Sequence, residues 1–169
     1  MTTYKVGDKV VYPHHGAGQI LEITERECDG ETKEFLTIQI NHNSMTVTVP
    51  VDAAERAGVR LVIPESFVQE VLAVLRDDAT NMPKNWNRRF KHNREKIKTG
   101  DVFEVADVVR NLALREAERG LSTGEKQMFG RVKKILASEL MYAKEIPEEE
   151  ALRYLEAILD EICEHIGCE

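Results

Sequence analysis

The hydrophobic pattern changes period once, near residues 62–65, and this limits the fold more than any other feature of the chain. Before the change, apolar residues alternate, as half-buried strands require. After it they recur at spacings of three and four, as helices packed along one face require. Ahead of the change, residues 6–12, 19–26, 35–40 and 45–50 are short runs rich in β-branched side chains. Residues 16–18, 29–30 and 41–44 punctuate them as turns. The runs 35–40 and 45–50 alternate and lie close enough in sequence for a hairpin. Four or five short strands in some sixty residues predict a small, strongly bent β-barrel. Such a module leaves edge strands on which a partner can add its own.

Beyond residue 63 the chain predicts an all-α bundle of about five helices. Residues 65–78 carry Phe67, Val68, Val71, Leu72 and Leu75 on one stripe. A polar linker over 77–82 follows, then a basic helix entered through Pro83 and stopped near Gly100. Asp101 is placed to cap a helix with Val102, Val105, Val108, Val109 and Leu112 inside. Ser122 and Glu125 form a capping box in which hydroxyl and carboxylate each satisfy an orphan amide. Pro147 opens a last helix, and Gly167 ends it. The fold class is therefore α+β in two domains, with residues 1–63 as the β domain and 64–169 as the helical domain.

Several function classes receive no support. No apolar run approaches the ~20 residues of a membrane span, and residues 1–8 contain no apolar signal core. Three cysteines, Cys28, Cys163 and Cys168, do not make a disulfide framework, so a reducing, cytoplasmic location is expected. His14-His15 has no third ligand at metal spacing and reads as part of a turn. The cluster Cys163, His165, Cys168 fits no zinc pattern. There is no G-x-x-x-x-G-K-[ST] loop and no nucleophile elbow. No catalytic residue, metal or cofactor, and no small-molecule substrate, is expected.

Positive charge is concentrated in one place. The chain carries a formal net charge of −7, yet residues 84–98 hold seven bases (Lys84, Arg88, Arg89, Lys91, Arg94, Lys96, Lys98) against Glu95, a local balance of +6. The single tryptophan, Trp86, lies among them. An acidic protein that gathers cations around an aromatic presents a surface for a polyanion, with contacts to bases as well as phosphates. On a helix begun at Pro83, Lys84, Arg88 and Lys91 share a face, and Trp86 sits in the first turn, where the helix dipole adds attraction for phosphate. An apolar wedge there can enter a minor groove and unstack a base step. Trp86 and Phe90, four apart, satisfy a core stripe equally well. From Glu139 onward ten acids face two bases, so this end belongs away from any DNA.

Four segments carry a resemblance to a known family. Val6-Gly7-Asp8-Lys9-Val10-Val11-Tyr12-Pro13-His14-His15-Gly16 is similar to the opening strand and turn of the CarD family of bacterial transcription regulators, in the shorter CdnL-like form. Val49-Pro50 with Ala57-Gly58-Val59-Arg60 resembles its barrel exit. Asn85-Trp86-Asn87-Arg88-Arg89-Phe90-Lys91 resembles its DNA-contacting segment. Glu118-Arg119-Gly120-Leu121-Ser122 with Glu125-Lys126 resembles a later helix junction. The match runs nearly end to end, in order and spacing.

The resemblance implies a Tudor-like (SH3-like) barrel shared with the polymerase-binding domain of the transcription-repair coupling factor. It would dock on the β-subunit lobe of RNA polymerase, partly by strand addition. Arg26 stands where the family has a polymerase-facing base, and Thr48 where some members carry a second arginine. Arg26, Val47, Thr48 and Val49 are therefore expected at the polymerase interface. The helical domain would reach promoter DNA at the upstream edge of the transcription bubble, with Trp86 as a minor-groove wedge. Arg88 and Lys91, with Arg89, Lys84 and Arg94 around them, would hold the backbone. The output would be stabilisation of the open complex. A different reading uses the same basic helix in an autonomous architectural DNA-binding protein that needs no polymerase.

Overall fold

The computed structural model describes residues 4–40 and 45–164. The turn expected over 41–44 lies outside the described residues, as do His165, Gly167 and Cys168. The first part is one antiparallel sheet of five strands: β1 (Lys9–Tyr12), β2 (Gly16–Cys28), β3 (Glu31–Ile40), β4 (Met45–Pro50) and β5 (Arg60–Leu61), in the spatial order β4-β3-β2-β1-β5. Strand β3 alternates as its sequence requires, with Leu36, Ile38 and Ile40 buried and Phe35, Thr37 and Gln39 half-buried between them. Asp29 and Gly30 both take positive φ, 52° and 80°. That is the two-residue turn whose twist suits a β2–β3 hairpin. A register shift between Ile20 and Glu22 bends β2.

The sheet does not close into the expected barrel. Closure would require its two edges to pair, but β4 and β5 lie at opposite ends and β5 has only two residues. Between them the chain forms a helix, α1 (Val51–Ala57), which packs Ala54 into the sheet's core with Val10, Ile20, Leu36, Ile38 and Val59. Among the described residues there are thus six α-helices rather than about five, the additional one lying within the β module. Short alanine-rich α1 follows Pro50 directly, and the run 57–60 alone carries no sign of it.

The other helices are α2 (Val68–Leu75), α3 (Trp86–Lys98), α4 (Val102–Glu118), α5 (Thr123–Lys144) and α6 (Glu148–Glu164). They enclose a second core that includes Val71, Leu72, Leu112, Val132, Leu136, Leu140 and Leu155. Phe67, expected on the inner stripe of α2, sits in a 3-10 turn ahead of it and is 44% exposed. Asp101 caps α4 by accepting from the Phe103 amide at 2.8 Å.

Three of the contacts between the β module and the helical part fix their relation most directly. Arg60 makes a two-pronged ion pair with Glu139 of α5, both bonds at 2.7 Å, and Glu139 also accepts from the Ile63 amide at 2.9 Å. The Ala17 amide donates to Ser138 Oγ at 2.9 Å. Gly100, at φ 73°, lies against Pro13 so closely that a β-carbon there would come within 2.6 Å of Pro13 Cγ.

Candidate nucleic-acid interface

Helix α3 starts at Trp86, because Asn85 caps it by accepting from the Arg88 amide at 3.2 Å. Lys84 therefore precedes the helix and does not continue its face. The segment leading into α3 is held rather than loose. The Thr80 amide and hydroxyl bond Asn111 and Asp107 of α4, and Asn93 reaches back to Met82 Sδ at 3.6 Å. Asp107 in turn pairs with Lys96 and Arg110. Burial raises the Asp107 pKa, but the Lys96 bond and the Arg110 charge outweigh it, so the carboxyl lies below its ordinary range. This network fixes where α3 begins and so where Trp86 stands.

The indole is seated and exposed at once. It is 42% exposed. One face stacks on Phe90, with ring centres 5.2 Å apart and planes at 19°. Its Nε1 donates to Ser122 Oγ at 2.7 Å. A β-carbon on Gly124 would stand 3.3 Å from Cζ2, so the glycine leaves the indole its place. Ser122 is the N-cap of α5, accepting from the Glu125 amide at 3.3 Å. The N-terminal ends of α3 and α5 thus meet at the indole, and both dipoles present their positive ends there.

Arg89 departs from expectation. It is 3% exposed, and its guanidinium grips Glu125 through Nε at 2.8 Å and Nη2 at 2.9 Å. Nη1 donates to the Lys84 carbonyl at 3.0 Å. The hydrogen bond from Arg89 holds the Glu125 carboxyl below its ordinary range and the guanidinium above its own. Arg89 is thus a buried ion-pair partner and not a DNA contact. The capping box is altered for the same reason. Glu125 gives its carboxylate to Arg89 and takes only the Ser122 hydroxyl, at 3.2 Å.

The buried stripe of α3 is Arg89, Asn93 and Ile97, at spacings of four. The opposite side carries the exposed cations Arg88 and Lys91, with Arg94 nearer the indole, its guanidinium carbon 5.9 Å from the Phe90 ring centre. Lys84 and Lys98 are also exposed. Lys96 is taken by Asp107 and Glu104. Five of the seven bases therefore face outward.

On the β module, β4 is an edge strand. Thr48 is exposed, its hydroxyl 3.4 Å from that of Thr37, and Val47 is half-buried. Val49 is 7% exposed and belongs to the core, so it can offer a partner only its main chain. Arg26 is exposed on β2, its guanidinium 5.1 Å from the Phe35 ring centre. His14 and His15 form the β1–β2 turn, with the His15 amide donating to the Tyr12 carbonyl at 2.9 Å. Among the described residues no three His, Cys, Asp or Glu gather to hold a metal, and no helix is long and apolar enough to cross a membrane. Ser122 reads as a cap, but that it and Gly124 hold the indole escaped the sequence reading. Their contact with Trp86 spans 36 residues, and no local pattern marks it.

Two family models match. The CarD-like/TRCF RID domain matches residues 4–63, and the CarD C-terminal domain matches residues 70–156. YdeB of Bacillus subtilis (strain 168), named as a candidate transcription factor, is 33% identical over 147 residues, covering 87% of this chain and 96% of that protein. The 72-residue N-terminal domain of Myxococcus xanthus CarD, solved by NMR, is 32% identical. It covers 35% of this chain and 79% of that one, with a TM-score of 0.31. CdnLNt from the same organism is 33% identical, covering 37% of this chain and 89% of that one, also at a TM-score of 0.31. The chain belongs to the CarD family, whose members are transcription regulators associated with RNA polymerase.

Proposed function

We propose, from membership of the CarD family, that this protein binds the β-subunit lobe of RNA polymerase and stabilises the promoter open complex. Residues 1–63 serve as the anchor and 64–169 as the DNA-binding module. Edge strand β4 adds to a polymerase strand by main-chain pairing, with Arg26 and Thr48 as the side chains offered outward. Trp86 enters the minor groove at the upstream edge of the bubble, while Arg88, Lys91, Lys84 and Arg94 meet phosphates.

The observation that carries this reading is the posture of Trp86, seated on Phe90, Ser122 and Gly124 yet 42% open to solvent. A loose indole would lose conformational entropy on insertion. A seated one enters with less to order. Unstacking a base step takes a few kcal/mol in duplex DNA and much less where the strands have already parted, so the wedge favours the melted state. Only that difference in affinity shifts the opening equilibrium.

Five outward cations bound the DNA affinity of the free protein. At a slope of ~0.9 per phosphate neutralised, these five together lower log affinity by about 4.5 per decade of salt. Weak binding of this kind suits a module delivered at high effective concentration by a docked partner, and weighs against an architectural protein acting alone. The test is Trp86→Ala in a promoter lifetime assay. Polymerase binding is expected to persist while the open-complex lifetime falls about ten-fold, the ~1–3 kcal/mol of one aromatic–base contact. A variant that prolongs the lifetime as well as the native protein does would end the wedge reading.

A further inference from the structure

Phe90 and Gly124 each have a second neighbour. On one side they carry the Trp86 indole. On the other they wall a cleft of about 360 Å³ between α3, α5 and the β1–β2 turn. Ile97, Met128 and Val132 make an apolar, buried floor. Arg94, Gln127 and Arg131 stand around it, all exposed. No carboxylate lines the cleft.

His14 supplies the remaining wall, and it is unusual. It holds φ at 74°, a conformation most side chains avoid. Arg131 Nη2 donates to its carbonyl at 3.1 Å and fixes the turn. Its Nδ1 is buried with no hydrogen-bond partner. Burial, and then the charges of Arg131, His15, Lys98 and Arg94, hold the His14 ring below its ordinary pKa. Arg131, Lys98 and Arg94 bring a positive field to an apolar slot walled by a histidine whose Nδ1 has no partner.

The volume lies at the low end of the ~300–1,000 Å³ span of ligand sites, enough for one nucleotide and too small for a duplex. An apolar floor with an aromatic wall suits a base, two guanidiniums suit a phosphate, and exposed Gln127 can bond a base edge. We propose that the cleft receives one unpaired nucleotide of the DNA strand parted by Trp86, its base on the floor beside Phe90 and its phosphate between Arg94 and Arg131. The proposal rests on the reading of Trp86 as a fork wedge. Indole and cleft share Phe90 and Gly124 as walls, so a strand turned aside by the one passes directly to the other.

The experiment uses the full chain and a fluorescein-labelled DNA fork, a duplex with unpaired arms, followed by anisotropy at low salt. A matched series removes the base at each unpaired position in turn. Loss of one base next to the duplex edge is expected to weaken binding about ten-fold. Arg131→Ala is expected to weaken the intact fork by a similar factor and to add little on the fork lacking that base, the non-additivity of groups that meet the same target. Arg131 is exposed but also holds the His14 carbonyl, so melting of the variant is recorded to check that its fold is retained. If no base removal matters, or Arg131→Ala weakens both forks alike, the cleft takes no nucleotide. Trp86→Ala separates the two claims. Should it weaken every fork while the cleft tests fail, the wedge stands alone; should it too have no effect, both readings fall. Tighter binding of free thymidine monophosphate than of the fork would overturn the assignment to DNA.

Discussion

Replacing Glu139 by glutamine tests whether the two modules act as one body. Glu139 is on α5, and its side chain is 4% exposed. It accepts two bonds from Arg60 at 2.7 Å and one from the Ile63 amide at 2.9 Å, just where the chain leaves the sheet. The glutamine keeps the shape but brings an NH2 against the guanidinium, so one prong is lost and the other is no longer charge-assisted. Such bonds contribute ~1.5–3 kcal/mol each. The Arg60 side chain is 29% exposed and regains some water, which discounts the loss to about 3 kcal/mol in total. At ~2–4 °C per kcal/mol for a chain of this size, the melting temperature falls by roughly 6–12 °C. The assay is differential scanning calorimetry beside the promoter lifetime measurement. One native transition is expected to split in two, as each core loses its neighbour, and the open-complex lifetime to shorten while polymerase binding persists. A single transition within about 2 °C of the native one would refute the clamp. A full thermal loss with an unchanged lifetime would refute the need for fixed spacing.

Three further outcomes follow from the same geometry. Arg89→Met leaves Glu125 buried and uncompensated, a loss of ~3–5 kcal/mol, so melting falls on the order of 10 °C, whereas exposed Arg88→Ala changes stability by no more than ~0.5 kcal/mol and lowers fork binding; native-like melting of Arg89→Met would show that the pair is dispensable. Acid weakens the fold in two stages. The folded-state pKa values of His14 and His15 are depressed, first by burial, so stability declines as pH falls below ~6.5; those of Glu125 and Asp107 lie below the ordinary carboxylate range, so their contribution is present above ~4.5 and lost as pH falls through the depressed values. Melting curves from pH 8 to 2 check this, and a fold that gains stability between pH 7 and 5 would contradict it. Gly124→Ala brings a β-carbon within 3.3 Å of the indole, which must give by a few tenths of an ångström and opens further to water. Red-shifted emission from the only tryptophan, with little change in melting, is the expected signature.

The elements were legible where local chemistry decides them. Alternation marked β3 and β4, Asp29-Gly30 marked the turn between β2 and β3, and Asp101 and Ser122 marked two caps that the structure contains. What escaped was set at long range. Whether the sheet closes depends on what fills the gap between β4 and β5, and α1 does so with a single buried alanine in a seven-residue helix. No hydrophobic pattern of that length separates such a helix from a barrel exit.

The site was half legible for a related reason. Periodicity assumes that a helix buries its apolar residues, and by that rule α3 should face the core with Trp86 and Phe90. It buries Arg89, Asn93 and Ile97 on that same side, and leaves Phe90 half-buried and Trp86 exposed. What brings Arg89 inside is Glu125. A carboxylate left in the first turn of a buried helix end needs a cation, and Arg89 supplies it. With Arg89 inside, Arg88 and Lys91 on the opposite side go to solvent, while Trp86, on the same side as Arg89 but at the first residue of the helix, stays at the rim. Arg89 therefore serves the interface by orienting its helix and by leaving the outward charge, although its own charge never reaches the surface. Composition alone counts its charge at the surface, and only the acid 36 residues away reveals where it is spent.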